Sequence, residues 1–305
     1  MNTDNKPAHL IERAAARMSV PWGEMPARRV AAPEVAQLAA PEAAPKLALA
    51  DHLSAPDAAA ATPIPADALV RAGLIGGAFD RSRIAEEFRI VQSKMLRPGF
   101  SGTSAVATPR SNLILVTSAL AGEGKSFVAI NLAAGIARQG DRRVLLVDLD
   151  LKDSSLGHML GVAMAPGVLD LARSGERRFD ASVIPTAIAN LDVLPLGTGV
   201  EESAELFASK RMAGLLDDLS RRYADRPIIL DSSPCLASSN PHSLAPLVGQ
   251  IILVVAAGST QQGDVEAALD LVQACPSVSL LLNKIAPWSL HSFGGYAYGS
   301  ALSSA

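Results

Sequence analysis

The segment from Ala119 to Ser126 reads Ala-Leu-Ala-Gly-Glu-Gly-Lys-Ser and ends by placing a long cation beside a hydroxyl. Those are the groups that hold phosphates. Gly122 and Gly124 would let backbone N–H groups turn onto an anion, and the helix that follows would aim its positive end at the same point. We assign Ala121, Gly122, Glu123, Gly124, Lys125, Ser126 and Phe127 to a phosphate-cradling, nucleotide-binding loop. Lys125 would reach the β- and γ-phosphates, and Ser126 would enter a Mg²⁺ shell completed by phosphate oxygens and water. Ala119 departs from the usual pattern, which begins with glycine. A plain strand-to-helix turn could carry the same letters, so residues further along must decide.

Two apolar runs end in carboxylates. Val144-Leu145-Leu146-Val147 leads to Asp148 and Asp150, and Ile228-Ile229-Leu230 leads to Asp231. Residues two apart on a strand share a face, and ligands in open α/β sheets bind beyond the strands' carboxyl ends. A strand-terminal Asp often only caps a turn. Three of them in the correct order after a phosphate loop instead suggest a nucleotide–metal site, with Ser126, Asp150 and Asp231 around Mg²⁺.

These residues need a scaffold. Candidate strands run 113–116, 144–148, 191–194, 228–231, 251–255 and 279–282, with helices at 126–138, 203–223 and 263–274. Unbroken Val/Ile/Leu runs suit strands buried on both faces, and their alternation with helices requires right-handed crossovers. The expected fold class is α/β, a doubly wound, mostly parallel sheet of P-loop NTPase type. Between Ala31 and Ala68 the chain has 16 Ala and 6 Pro in 38 positions, too little large apolar surface to offset ordering entropy. We therefore expect a disordered Ala/Pro-rich N-terminal extension over 1–75, a nucleotide-binding domain over 76–288 and a flexible Gly/Tyr tail over 289–305.

Composition removes some function classes. A net charge of −3 argues against nucleic acid as a partner. No apolar run approaches the roughly 20 residues that cross a bilayer, and the start lacks a secretory pattern. Cys235 and Cys275, the only cysteines, fit a reducing compartment, so the expectation is a cytoplasmic protein without a transmembrane segment of its own. His158, His242 and Cys235 have no metal-site spacing and read as structural.

Taken together, residues of about 84–300 resemble the bacterial tyrosine kinases of exopolysaccharide loci, a branch of the ParA/MinD-like P-loop ATPases. The resemblance lies in Thr117 to Ser126 (Walker A), Asp148-Leu149-Asp150 (Walker A′) and Asp231-Ser232-Ser233-Pro234 (Walker B). It extends to Pro166-Gly167-Val168-Leu169-Asp170, to Leu194-Pro195-Leu196-Gly197 and to the stretch from Glu205 to Met212. Partitioning ATPases carry a second lysine five positions before the Walker lysine; here that position is Leu120, as in the kinase branch.

The resemblance implies ATP and Mg²⁺ as cofactors, and an autokinase that phosphorylates C-terminal tyrosines of neighbouring subunits and so regulates exopolysaccharide synthesis or export. Lys125, Asp148 and Asp150 would be catalytic, with Asp148 or Asp150 accepting the phenol proton. Tyr296 and Tyr298, two of only three tyrosines, would be the phosphoacceptors; a frayed end with incidental aromatics is the alternative. Asn283 would contact adenine or hold a turn.

Partners implied are a homo-oligomer, a ring among its forms, and a membrane polysaccharide co-polymerase that acts as activator from a separate chain, keeping the protein peripheral at the inner membrane. Two departures stand out. In the helix motif E-x-x-R-x-x-R that mediates ring assembly, Glu86 and Arg89 match but Gln92 replaces the second arginine, and Lys152 stands where arginine is common. The competing readings are a ParA/MinD-like ATPase switch and a nucleotide-dependent scaffold.

Overall fold

Each predicted apolar run becomes a strand in the computed structural model, which describes residues 62–76, 83–100, 110–152, 155–200 and 203–285. In chain order come α1 (Ala66–Arg71), α2 (Arg83–Phe100), β1 (Leu113–Ser118), α3 (Lys125–Arg138), β2 (Val144–Leu149) and α4 (Leu156–Leu160). Next are α5 (Val168–Ser174), β3 (Ile184–Pro185), β4 (Leu191–Leu194), α6 (Ser203–Phe207), α7 (Lys210–Arg222) and β5 (Ile228–Ser232). The last elements are α8 (Asn240–Leu244), β6 (Gln250–Ala256), α9 (Gln262–Val272) and β7 (Val278–Asn283).

The strands form one seven-stranded sheet in the order β3-β4-β2-β5-β1-β6-β7, parallel except for the β3–β4 pair. The expected doubly wound architecture is therefore present. Strand periodicity divides the interior into two cores. Leu113, Leu115, Leu145, Val147 and Leu230 pack on one face with α5 and α7, while Ile114, Val116, Val144, Leu146 and Ile229 pack on the other with α3. All five of the latter are solvent-free, and each such side chain stabilises the fold by about 2 kcal/mol.

Three expectations need correction. The expected helix over 203–223 is broken into α6 and α7, because the Ser209 hydroxyl accepts from the Met212 N–H (3.3 Å) and donates to the Leu206 carbonyl (2.7 Å), capping one helix while closing the other. The extension assigned to 1–75 is cut too long. Ile64 pairs with Thr186, and Ala68, Leu69 and Leu74 are buried in the core that faces α3. Finally, β3 was not anticipated; its two residues are too short to carry a pattern.

Gln92 finds a place inside the fold. It is buried between α2 and α3, where its Oε1 accepts from Gln139 Nε2 (2.6 Å). A Cβ on Gly135 would lie 1.9 Å from Gln92 Nε2, so the close helix approach depends on that glycine. A second fastening holds β1. The Asn112 amide donates to the carbonyls of Ser220 (3.1 Å) and Tyr223 (3.0 Å) and its oxygen accepts from the Ser220 hydroxyl (2.6 Å).

Candidate nucleotide site

The loop between β1 and α3 is shaped by glycine. Gly122 and Gly124 have φ of +84° and +97°, in the left-handed region that other residues enter only with strain. Gly124 caps α3, so the first amides of a 14-residue helix open toward the loop. Glu123 is buried and holds the loop from within. Its carboxylate accepts from the Leu120 N–H (2.7 Å), the Ala256 N–H (3.3 Å) and the Thr260 hydroxyl. The Glu123 side chain is thus an internal brace of the loop.

Register brings the carboxylates together. Asp148 on β2 is the direct partner of Asp231 on β5, and both occupy the strand positions that face α3. Asp150 lies two residues further on. Lys125 Nζ contacts Asp150 Oδ2 at 2.5 Å and Asp231 Oδ1 at 4.0 Å, and donates to Ser126 Oγ at 3.1 Å. Lys125, Ser126, Asp150 and Asp231 thus form one cluster, as their order in the sequence required.

The three acids differ in environment. Asp150 Oδ1 also accepts from the Ser233 hydroxyl (2.8 Å), so its charge is doubly matched. Asp148 is fully buried and accepts from the backbone N–H groups of Asp150 (3.1 Å) and Gly157 (2.6 Å). Burial pushes its carboxyl above the ordinary value, against those hydrogen bonds. Asp231 is fully buried too, yet neither of its oxygens has a hydrogen-bond partner among the described residues. Desolvation pushes it up to about 7, against the attraction of Lys125 and helped by the neighbouring charge of Asp148. Burial alone would lower the Lys125 ammonium, but Asp231 and Asp150 outweigh it and hold it above its ordinary value.

An orphaned buried carboxylate beside a hydroxyl is a fit place for a hard cation. No group of three or more His, Cys, Asp or Glu side chains able to hold a metal converges among the described residues. Asp231 and Ser126 would therefore supply few protein ligands, with phosphate oxygens and water completing the shell, as is usual for Mg²⁺.

Other candidates fall in different places. Asn283, at the end of β7, donates from Nδ2 to the Glu123 carbonyl (2.8 Å), and Lys284 Nζ donates to the Gly122 carbonyl (2.6 Å). Asn283 thus fastens the loop backbone. Cys235 is buried and its thiol is pushed up by burial, the state of an inert structural cysteine. His242 Nδ1 contacts the Leu271 carbonyl (2.8 Å), also structural. Tyr296 and Tyr298 lie outside the described residues. No helix among the described residues is long and apolar enough to cross a membrane.

Comparison with known proteins agrees with this fold. Residues 110–225 match the family model described as ParA, NUBPL iron-transfer P-loop NTPase. The tyrosine-protein kinase YwqD of Bacillus subtilis is 31% identical over 189 residues, covering 61% of this chain and 77% of that protein. The succinoglycan biosynthesis transport protein ExoP of Rhizobium meliloti is 30% identical over 212 residues, covering 67% of this chain and 25% of ExoP. Among solved structures, the VpsO kinase domain is 28% identical with a TM-score of 0.52, and the alignment covers 67% of this chain and all of that domain. Several other matched tyrosine kinases are far longer, and the chain spans about a fifth of their length.

Proposed function

From the premise that this chain belongs to the bacterial tyrosine-kinase family, we propose that it transfers the γ-phosphoryl group of ATP to tyrosine, its own C-terminal Tyr296 and Tyr298 on neighbouring subunits included. The observation that carries this reading is the cluster of Lys125, Ser126, Asp150 and Asp231 around one loop, the Asp231 carboxylate being without a hydrogen bond among the described residues. Lys125 and the loop amides stabilise charge on the transferred phosphoryl. Ser126 and Asp231 would hold Mg²⁺, with Asp150 beside them. When bound, Mg²⁺ would supply neutralisation of charge on the phosphates.

Asp148 is assigned the general base. A phenol near pKa 10 arrives neutral, so a carboxylate must take its proton as the O–P bond forms. The upward shift of Asp148 makes it a stronger base than a solvated carboxylate, and among the described residues no Lys or Arg forms an ion pair with it. Asp150, matched to Lys125 and Ser233, is the poorer candidate.

The resemblance to kinases of exopolysaccharide loci, and the likeness to ExoP, support a role in polysaccharide synthesis or export. In this reading a membrane polysaccharide co-polymerase is the activator, the protein sits in the cytoplasm against the inner membrane, and copies assemble as a homo-oligomer. Incubation of the purified chain with Mg²⁺-ATP followed by phosphotyrosine mass spectrometry tests the proposal. Labelling of Tyr296 and Tyr298, lost in Lys125→Met, is expected. Phosphate release without labelled tyrosine points to an ATPase switch instead.

A further inference from the structure

A cavity of about 780 Å³ opens at the amino ends of β2, β4 and β5, on the rim of the sheet opposite the nucleotide cluster. Four arginines line it. Arg143 immediately precedes β2, Arg226 stands two residues before β5, and Arg221 and Arg222 end α7. The phosphoryl transfer described above uses none of them.

Arg226 belongs to the framework. Its side chain is only 12% exposed, and it grips the Asp225 carboxylate through Nε (3.0 Å) and one terminal nitrogen (3.1 Å). It also lies 3.8 Å from Asp192, with its guanidinium 4.9 Å from the centre of the Tyr223 ring. Arg143, Arg221 and Arg222 instead form a rim that water reaches, their side chains 54%, 71% and 57% exposed. Among the described residues each donates to one carboxylate through one terminal nitrogen: Arg143 to Asp192 (2.7 Å), Arg221 to Asp218 (2.6 Å) and Arg222 to Asp180 (2.9 Å). A guanidinium donates from every nitrogen, so the greater part of each fork is left for an incoming anion.

Three carboxylates, Asp180, Asp192 and Asp225, line the same cavity, so its walls carry four positive charges against three negative. The excess is cationic, and all three acids are already engaged, Asp180 by the Tyr223 hydroxyl (2.9 Å) as well as by Arg222. Val183 and Pro185 add an apolar wall between the charged groups. The volume falls in the range of pockets that enclose an organic ligand and far exceeds what a bare phosphate fills. Guanidinium forks beside an apolar wall suit a ring that bears a phosphate: the ring lies on Val183 and Pro185, and the phosphate takes paired hydrogen bonds from the rim.

We propose that this cavity binds a phosphate monoester carried on an aromatic ring, and that its ligand is the phosphotyrosine in the C-terminal segment of a second copy of this chain. The choice of ligand rests on the kinase reading above. Between Pro287 and Ala305 the sequence has no Asp, Glu, Lys or Arg, so before phosphorylation that segment offers the arginines no anion. Phosphorylation of Tyr296 or Tyr298 adds roughly two negative charges and three acceptor oxygens at one point. The cavity therefore distinguishes the two states of a neighbour's tail, and it does so on the rim remote from Lys125, where a bound product leaves the catalytic cluster open.

The test is isothermal titration of the full chain carrying Tyr296→Phe and Tyr298→Phe, without nucleotide, with a synthetic peptide of residues 289–302 phosphorylated at Tyr296. The unphosphorylated peptide is expected to bind at least tenfold more weakly. Arg221→Gln combined with Arg222→Gln is expected to weaken the phosphopeptide at least tenfold, the scale of one lost hydrogen bond to a charged group, with Mg²⁺-ATP affinity at the parent value as the check on folding. Arg221→Lys combined with Arg222→Lys, which keeps the charge and loses the forks, should fall between the two. Arg178→Gln, at a side chain 83% exposed outside the cavity, should bind like the parent. Phenyl phosphate is expected to compete with the phosphopeptide more effectively than inorganic phosphate does; equal competition by the two overturns the ring's part in recognition, and phenyl phosphate bound more tightly than the phosphopeptide overturns the tail as ligand. Unchanged phosphopeptide affinity in the double glutamine variant, or equal affinity for the unphosphorylated peptide, overturns the site and leaves the kinase reading standing. That reading is decided separately, by whether the unsubstituted chain labels its own tail with Mg²⁺-ATP.

Discussion

Replacing Asp231 by Asn should make the nucleotide-free protein more stable at pH 8 and less stable at pH 4.5. Asp231 is fully buried, its oxygens have no hydrogen-bond partner among the described residues, and its carboxyl is raised from 3.8 to about 7. A folded-state value above the unfolded one means that the folded chain holds the proton longer. Stability from this group is complete below about pH 4, declines as the pH climbs toward 7, and has been lost above it. A rise of about three units corresponds to about 4 kcal/mol at pH 8. Asn removes that cost but leaves an unpaired buried amide, worth roughly 2 kcal/mol at any pH. The net gain at pH 8 is therefore about 2 kcal/mol, and the sign reverses near pH 5. Urea unfolding of parent and variant at several pH values, without nucleotide and with chelator, measures the difference. A variant less stable than the parent at pH 8, or a difference that does not change with pH, would refute the argument that Asp231 is a buried charge awaiting a cation.

Other outcomes follow from named contacts. Lys125→Met leaves Asp150 buried beside no cation and should lower unfolding free energy by about 3 kcal/mol; adding Asp150→Asn should recover much of it, both read by urea unfolding. Gly124→Ala forces a left-handed residue and puts a Cβ 2.3 Å from Asn283 Nδ2, so nucleotide affinity measured by calorimetry should fall at least tenfold, at a cost of roughly 1–3 kcal/mol. Asn112→Ala should cost about 2 kcal/mol of stability by removing the bonds to the Ser220, Tyr223 and Arg226 carbonyls and from the Ser220 hydroxyl, with Mg²⁺-ATP affinity unchanged. Tyr223 should stay unlabelled in a phosphopeptide map. Its ring is buried, its hydroxyl donates to Asp180 (2.9 Å), and desolvation pushes the phenol well above its ordinary value.

The parts of the fold that were legible in the sequence are those where one physical cause dominates. Leu113 to Val116 and Ile228 to Leu230 announce themselves because a strand buried on both faces admits only apolar side chains. The convergence of Asp148 and Asp231 follows from the same regularity, since parallel register places equivalent strand ends side by side. What escaped were features decided by tertiary context. The break at Ser209 depends on a single hydroxyl, and α1 owes its order to Ile64 and Leu69 finding a surface contributed by residues far along the chain. The brace at Glu123 depends on Thr260, and the loop at Thr198 that follows β4 depends on Asp170. Neither pairing leaves a local trace.

The clasp around Glu123 has a consequence for the energetics of recognition. Because one carboxylate ties Leu120, Ala256 and Thr260 together, the loop's amides take their orientation when the chain folds, not when a ligand arrives. The entropy of arranging them is thereby spent in advance, and association retains more of each contact it makes. Glu123→Gln, which keeps the volume but weakens the clasp, would shift that ordering onto the binding step and show itself as a less favourable binding entropy.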